Sequence, residues 1–344
     1  MEQLKSIKDI DQYKISKDRI LHSAQHDEIV NGLTTDVYFL RTLDILSALD
    51  LADAEVVAEI FPRKKGVFCG IDEVKNLLKD KPIEIWAVDE GETFDVKDTV
   101  LRIKGKYSDI AIFETIVLGM LASASGWATA ASEIDEACGD KTFLCFGARH
   151  VHPAIAPVME RAAIIGGAMS ASCILAAKLH GINPSGTVPH SAMLIAGDTL
   201  KVAETYDKIS APDHNRIVLI DTFKDEVEEA IRIAKALNGK LYGIRLDTPS
   251  ERGGVTAGLV KEMRAKLNLE GFEYVKIFVS GGLTPEKIQI LSDAGADSFG
   301  VGSYISAASP IDMTMDIKEV NGKAVAKRGR IPGLIDNPKL KKVQ

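Results

Sequence analysis

Residues 276–303 read KIFVSGGLTPEKIQILSDAGADSFGVGS, and this stretch decides the fold class. KIFVS is a short apolar run that stops at Gly281-Gly282, and SFGV is a second that stops at Gly302-Ser303, with a helix-length segment between them. Strand, helix and strand joined by short turns make a parallel unit, since parallel neighbours need a crossover connection. The rhythm extends back to about residue 140, where KTFLCFG, SGTVPHS, NRIVLID and KLYGIRLD each read as short apolar strands. Most are followed by an amphipathic segment such as DEVEEAIRIAKALNG. Repeated units ending in two Gly-rich strand ends point to an α/β barrel of parallel strands, in incomplete form, over an open doubly wound sheet. No GxGxxG opens the first unit, which argues against a dinucleotide fold.

Upstream the pattern is mixed. TTDVYFLRTLDILSALD predicts a helix over 35–51, with Val37, Leu40, Leu43 and Leu46 near one face. AEVVAEIF, KPIEIWAV and DTVLRIKGK follow as strands separated by turn signals, and predict an antiparallel sheet under a helix. The expected organisation is a mixed α+β N-terminal domain over 1–137 and an incomplete α/β barrel over 138–310. Residues 311–344 carry a hairpin signal at Asn321-Gly322 and a basic tail, and return to the first domain.

The 344 residues hold 42 Lys+Arg against 49 Asp+Glu, a formal charge of −7, with 46% hydrophobic and 26% charged residues. That is a globular composition, long enough for roughly two domains. Net acidity without a clustered basic face excludes general nucleic-acid or anionic-membrane binding. Cys69, Cys138, Cys145 and Cys173 form no CxxC and have no His at zinc spacing, which fits a reducing, cytoplasmic setting. The N-terminus lacks the apolar core of a signal peptide. Uncharged runs at 115–132 and 162–177 are rich in small residues and bracketed by charge, so both are expected to be buried helices rather than spans.

In parallel barrels the C-terminal strand ends converge on one face. Most of the unusual polar residues fall there: Arg149, His150 and His152 after TFLCFG, His190, Asp221-Thr222, Arg245 and Asp247, Ser280-Gly281-Gly282, and Gly300-Val301-Gly302-Ser303. Gly-rich strand ends leave backbone N–H groups bare, and a following helix N-terminus favours a phosphate dianion. Arg149 and Arg245 suit a carboxylate or phosphate, or else a structural pair with Asp247 or Glu160. Asp221 and Asp247 suit sugar hydroxyls or Mg²⁺, or else serve as helix N-caps. His190 reads as an acid, base or nucleophile, or as a structural histidine.

TTDVYFLRT, FGARHVHPA, GTVPHS, LIDTF, GIRLDT and VSGGL, in this order and spacing across about residues 30–305, resemble nicotinate phosphoribosyltransferase in its short prokaryotic and archaeal forms. The resemblance implies a head-to-tail dimer and synthesis of nicotinate mononucleotide from nicotinate and 5-phosphoribosyl 1-diphosphate, with Mg²⁺ and ATP as helpers. It implies that Phe146 and Arg149 sandwich the pyridine ring, and that Tyr38 is contributed by the neighbouring subunit. Arg245 and Asp247 correspond to the pair beside substrate, and Asp221 and Thr222 to the element near ribose and metal. Ser280, Gly281, Gly282, Gly300, Gly302 and Ser303 correspond to the 5-phosphate cradle, and His190 to the phosphorylated histidine. TPSERGG after the RLD pair departs from the SGD of longer members. Quinolinate phosphoribosyltransferase, and a phosphate-binding barrel without turnover, are the alternatives.

Overall fold

The structure, a computed structural model, describes residues 3–344. The chain divides into two compact units, Met1–Thr129 with Ser309–Gln344, and Ala130–Ala308.

In the first unit, the strand Glu55–Pro62 is paired antiparallel on both sides, by Leu101–Lys106 and by Met313–Val320. Its run Val56 to Phe61 is buried at every position, including Glu59, whose carboxylate is held by Arg102 at 2.7 Å. The sheet continues through Glu84–Ala87 to an edge strand, Lys341–Lys342, so the basic tail does return to this unit. Met313–Val320 turns back through Asn321-Gly322, both at positive φ (49° and 72°), as a two-residue primed hairpin turn requires. The helix Val37–Ala48 buries Phe39, Leu40 and Leu43 in the core of this unit.

The second unit is a six-stranded, all-parallel sheet. Its order is Ser170–Ala171, Thr142–Cys145, Ser298–Val301, Lys276–Ser280, Leu241–Leu246, Arg216–Leu219. The two edge strands do not pair, so the barrel is open, a half-barrel. Its central strands, buried on both faces, carry Phe143, Phe299, Ile277, Val279 and Ile244 with essentially no exposure.

Two expectations are corrected here. SGTVPHS is not a strand: residues 183–189 are irregular, and His190 opens the helix His190–Ala196. The strand at that edge is Ser170–Ala171, too short to show a pattern. The uncharged run 162–177 is not one helix either, because Gly166-Gly167 ends Ala156–Ile165 and a strand precedes Ile174–Leu179. The run 115–132 does lie in one helix, Glu114–Cys138, the one segment among the described residues with the length and hydropathy of a membrane span. Its Val117, Leu121, Ala128, Ala131 and Ile134 are buried in protein.

Candidate active site

Because the strands of the half-barrel are parallel, all their C-terminal ends face one side. There, a cavity of about 370 Å³ is lined by Phe146, Arg149, Arg245, Asp247, the 280–282 turn, and Gly300, Gly302 and Ser303. Ten residues singled out from the sequence thus come together. Ser172, Thr187 and His150 join them.

Glycine is required where the walls touch. Phe146 donates its N–H to Val301 O at 2.7 Å and lays its ring on Gly300, where an added Cβ would sit 2.5 Å from a ring carbon. A Cβ on Gly302 would meet Phe146 O at 2.7 Å and the His150 ring at 2.8 Å. Gly281 and Gly282 take φ of +97° and +59°, a conformation that turns the chain sharply after the strand and that side chains resist. The following helix, Pro285–Asp293, is capped by Thr284, and its Lys287 Nζ donates to Gly282 O at 3.0 Å. The helix after Gly302 is a single turn, Ser303–Ser306, so its dipole adds little and the glycine N–H groups carry any phosphate binding there.

The two arginines differ. Arg245 is half-buried; Nη1 donates to Thr187 Oγ1 at 2.5 Å and Nη2 lies 3.7 Å from Asp247 Oδ2. Its Nε is buried without a partner, and its guanidinium carbon lies 6.0 Å from the Phe146 ring centre. Burial lowers its pKa, opposed by Asp247 and Asp221 and reinforced by Arg149. Arg149 is exposed at the rim and, among the described residues, has no carboxylate partner; its Nε points at His150 Nε2, 3.4 Å away. Glu160, one partner considered for it, is taken by backbone N–H groups and Ser172 instead.

Neither aspartate is an N-cap, since Asp225 and Thr256 cap the helices that follow. Asp247 Oδ1 accepts from Ser280 Oγ at 2.9 Å. Asp221 is 1% exposed at its side chain; Oδ1 lies 3.2 Å from His190 Nε2, and Oδ2 is buried without a partner. Burial pushes the Asp221 pKa up, His190 pulls it back, and nearby Asp247 raises it further. Thr222 Oγ1 is also buried without a partner. Among the described residues no three His, Cys, Asp or Glu cluster as a metal cage. An orphaned carboxylate oxygen beside a second carboxylate fits Mg²⁺, which is held by one or two carboxylates plus substrate phosphates and waters.

His190, Asp221 and Thr222 do not line the cavity itself. Tyr38, on the helix Val37–Ala48 of the other unit, is 52% exposed, with its ring 4.3 Å from that of Phe39. His150, Ser172, Thr187 and Glu160 were not singled out as binding or catalytic groups in the sequence; His150 carried a signal in its place at a strand end, Thr187 in its place within GTVPHS, and Glu160 only as an arginine's ion-pair partner.

Two larger hollows, of about 700 Å³ and about 760 Å³, lie around Arg19 and Arg216. Their arginines are committed to protein, Arg19 to Glu28, and Arg216 to Asp207 and the Pro212 carbonyl. The strand-end cavity instead offers Arg149, a guanidinium without a carboxylate partner among the described residues, beside Gly-rich strand ends.

A half-barrel with glycine cradles at its strand ends, joined to an antiparallel sheet unit, is the architecture of a type II phosphoribosyltransferase. Family models described as the N-terminal and C-terminal domains of quinolinate phosphoribosyl transferase match residues 36–125 and 127–316. The chain belongs to that family. It is 44% identical to a crystal structure of nicotinate-nucleotide pyrophosphorylase from Pyrococcus furiosus, with a TM-score of 0.87 over 92% of this chain and 82% of that one. It is 29% identical over 248 residues to a nicotinate phosphoribosyltransferase of Mycobacterium tuberculosis, covering 70% of this chain and 54% of that protein. The chain thus spans about half the length of the curated relatives it matches. Human nicotinic acid phosphoribosyltransferase shares the fold, with a TM-score of 0.68 at 18% identity over 88% of this chain and 77% of that one.

Proposed function

We propose that the protein transfers the phosphoribosyl group of 5-phosphoribosyl 1-diphosphate to the ring nitrogen of nicotinate, releasing pyrophosphate, as a step in NAD synthesis in the cytoplasm. The observation that carries this reading is Arg149, a guanidinium at the cavity rim with no carboxylate partner, on the same strand end as Phe146. A planar acid stacked on Phe146 would place its carboxylate on that cation, in a charge-assisted pair that a neutral amide cannot match. The N–H groups around Gly281, Gly282, Gly302 and Ser303 would hold the 5-phosphate. Asp247, which lines the cavity, would face the ribose, whose C1 gains positive charge as pyrophosphate leaves.

Mg²⁺, when bound, would neutralise the leaving pyrophosphate, with Asp221 and Asp247 as the residues that hold it. In this reading His190 accepts a phosphoryl group from ATP. Its Nε2 faces Asp221, so with the proton on Nε2 the nucleophilic lone pair is on Nδ1. Assembly into a homodimer, with Tyr38 completing a neighbour's site, belongs to the same reading.

A second reading, quinolinate as the base, is supported by the description of the matched family and by the 44% identity to the nicotinate-nucleotide pyrophosphorylase of Pyrococcus furiosus. The experiment is to incubate the protein with 5-phosphoribosyl 1-diphosphate, Mg²⁺ and nicotinate, nicotinamide or quinolinate, measuring pyrophosphate, mononucleotide and CO₂. Nicotinate mononucleotide from nicotinate without CO₂ supports the first reading, whereas product from quinolinate alone, with CO₂, replaces it. No product from any base leaves a phosphate-binding barrel without turnover.

A further inference from the structure

Behind the cavity, the helix Ala156–Ile165 carries one acidic side chain on its inward face. Glu160 is 0% exposed, among Met159, Ala162 and Ala163. A buried carboxylate persists only when its oxygens are met by donors. Here Oε1 accepts from Ala148 N at 2.8 Å and from Ser172 Oγ at 3.0 Å, and Oε2 accepts from Cys173 N at 2.6 Å. Ala148 precedes Arg149 in the loop after Thr142–Cys145, and Ser172 and Cys173 follow the edge strand Ser170–Ala171. That edge strand has only two register pairs with its neighbour, Leu144↔Ser170 and Cys145↔Ala171. The last bond of this ladder runs from Ser172 N–H to Cys145 O at 3.0 Å, and beyond it the carboxylate ties the two loops together.

We propose that Glu160 is a positioning residue for the base side of the site, tying the Arg149 loop to the Ser172–Cys173 loop so that the guanidinium is held at the cavity rim. This rests on the reading of Arg149 as the carboxylate's partner. The chemistry demands an acid: each carboxylate oxygen takes one backbone N–H, and a glutamine would turn an N–H donor toward one of them. Glu160→Gln therefore releases one loop at unchanged side-chain volume.

The test has two arms. In hydrogen exchange, Glu160→Gln speeds exchange at least tenfold in the peptide covering 146–150 or in the one covering 171–175, whichever loop loses its acceptor, and leaves 276–303 unchanged. This arm needs no substrate, so it separates failure of the Glu160 role from failure of the proposed activity. In kinetics, with whichever base the wild type converts, Glu160→Gln raises the KM for the base about tenfold. The KM for 5-phosphoribosyl 1-diphosphate and kcat stay within about threefold. In an Arg149→Ala background Glu160→Gln adds nothing further to the base KM, as expected for residues acting through one another. If Glu160→Gln does not fold, Ser172→Ala is put through the same exchange measurement and cycle, with a smaller loss expected. Unchanged exchange in both loops, equal loss for both substrates, or additive effects with Arg149→Ala would each overturn the proposal.

Discussion

Replacing Gly300 by Ala puts a methyl carbon 2.5 Å and 2.7 Å from two ring carbons of Phe146, and 3.2 Å from Ser280 Cβ. Comfortable carbon contacts lie at roughly 3.5–4.0 Å, so the ring must retreat by about 1 Å. It cannot do so freely, because its backbone N–H is fixed to Val301 O at 2.7 Å and Arg245 lies over its face. The ring must leave its rotamer or swing into the cavity. Overpacking of this kind costs about 1–3 kcal/mol, and because the displaced group is the wall on which the base stacks, the cost should fall on base binding. At about 1.4 kcal/mol per decade, Gly300→Ala should raise the KM for the base about 5- to 150-fold. The KM for 5-phosphoribosyl 1-diphosphate should change by less than about threefold. Initial rates with each substrate varied in turn, alongside a thermal melt to show that the variant is folded, measure this. A folded Gly300→Ala with an unchanged base KM would refute the placement of the base on Phe146.

Asp221→Asn removes a buried charge. Burial raises the Asp221 pKa in the folded protein, so its contribution is most favourable below the unfolded carboxylate range and is lost as pH rises through the folded value. The variant should therefore melt higher than wild type at neutral pH, a gain that shrinks in acid, and it should lose any Mg²⁺-dependent rise in Tm; a lower Tm at neutral pH would show that the His190 contact outweighs burial. Glu114, half-buried with Asp316 nearby, has a pKa pushed up to about 7 by burial, so wild-type stability should fall as pH rises through about 7. Between about pH 4.5 and 7, thermal melts of Glu114→Gln should fall less steeply than those of wild type, and a parallel pH slope in both proteins would contradict the assignment. His190→Ala should abolish an acid-labile phosphate on the protein and nicotinate-dependent ATP hydrolysis while keeping slow ATP-independent synthesis; absence of label on the wild type would leave His190 as a passive neighbour of Asp221.

The half-barrel was legible because its long strands carry their own punctuation. KIFVS, SFGV and LYGIRL are mostly apolar and are followed directly by Gly or Asp, and parallel pairing put those ends together without further information. The edge was not legible. Ser170–Ala171 is a two-residue strand inside a run of small residues, while GTVPHS, with its β-branched Thr and Val, looked more strand-like than the strand itself. Pairing against Leu144 and Cys145, a tertiary effect, decided between them. Ten of the residues named for strand-end position reached the cavity, whereas His190, Asp221 and Thr222 did not. Glu160 appeared in the sequence only as a salt-bridge partner for an arginine, because nothing local shows that two loops distant in sequence bring their N–H groups to one carboxylate.

The central claim is that this cavity holds an aromatic acid by its carboxylate on Arg149. The most direct measurement is the KM for nicotinate and for 5-phosphoribosyl 1-diphosphate in Arg149→Ala. Losing a charge-assisted contact of about 1.5–3 kcal/mol predicts an approximately 10- to 150-fold higher KM for nicotinate, with diphosphate binding kept. Discrimination against nicotinamide should fall with it. A loss confined to 5-phosphoribosyl 1-diphosphate would make Arg149 a phosphate ligand and contradict the account.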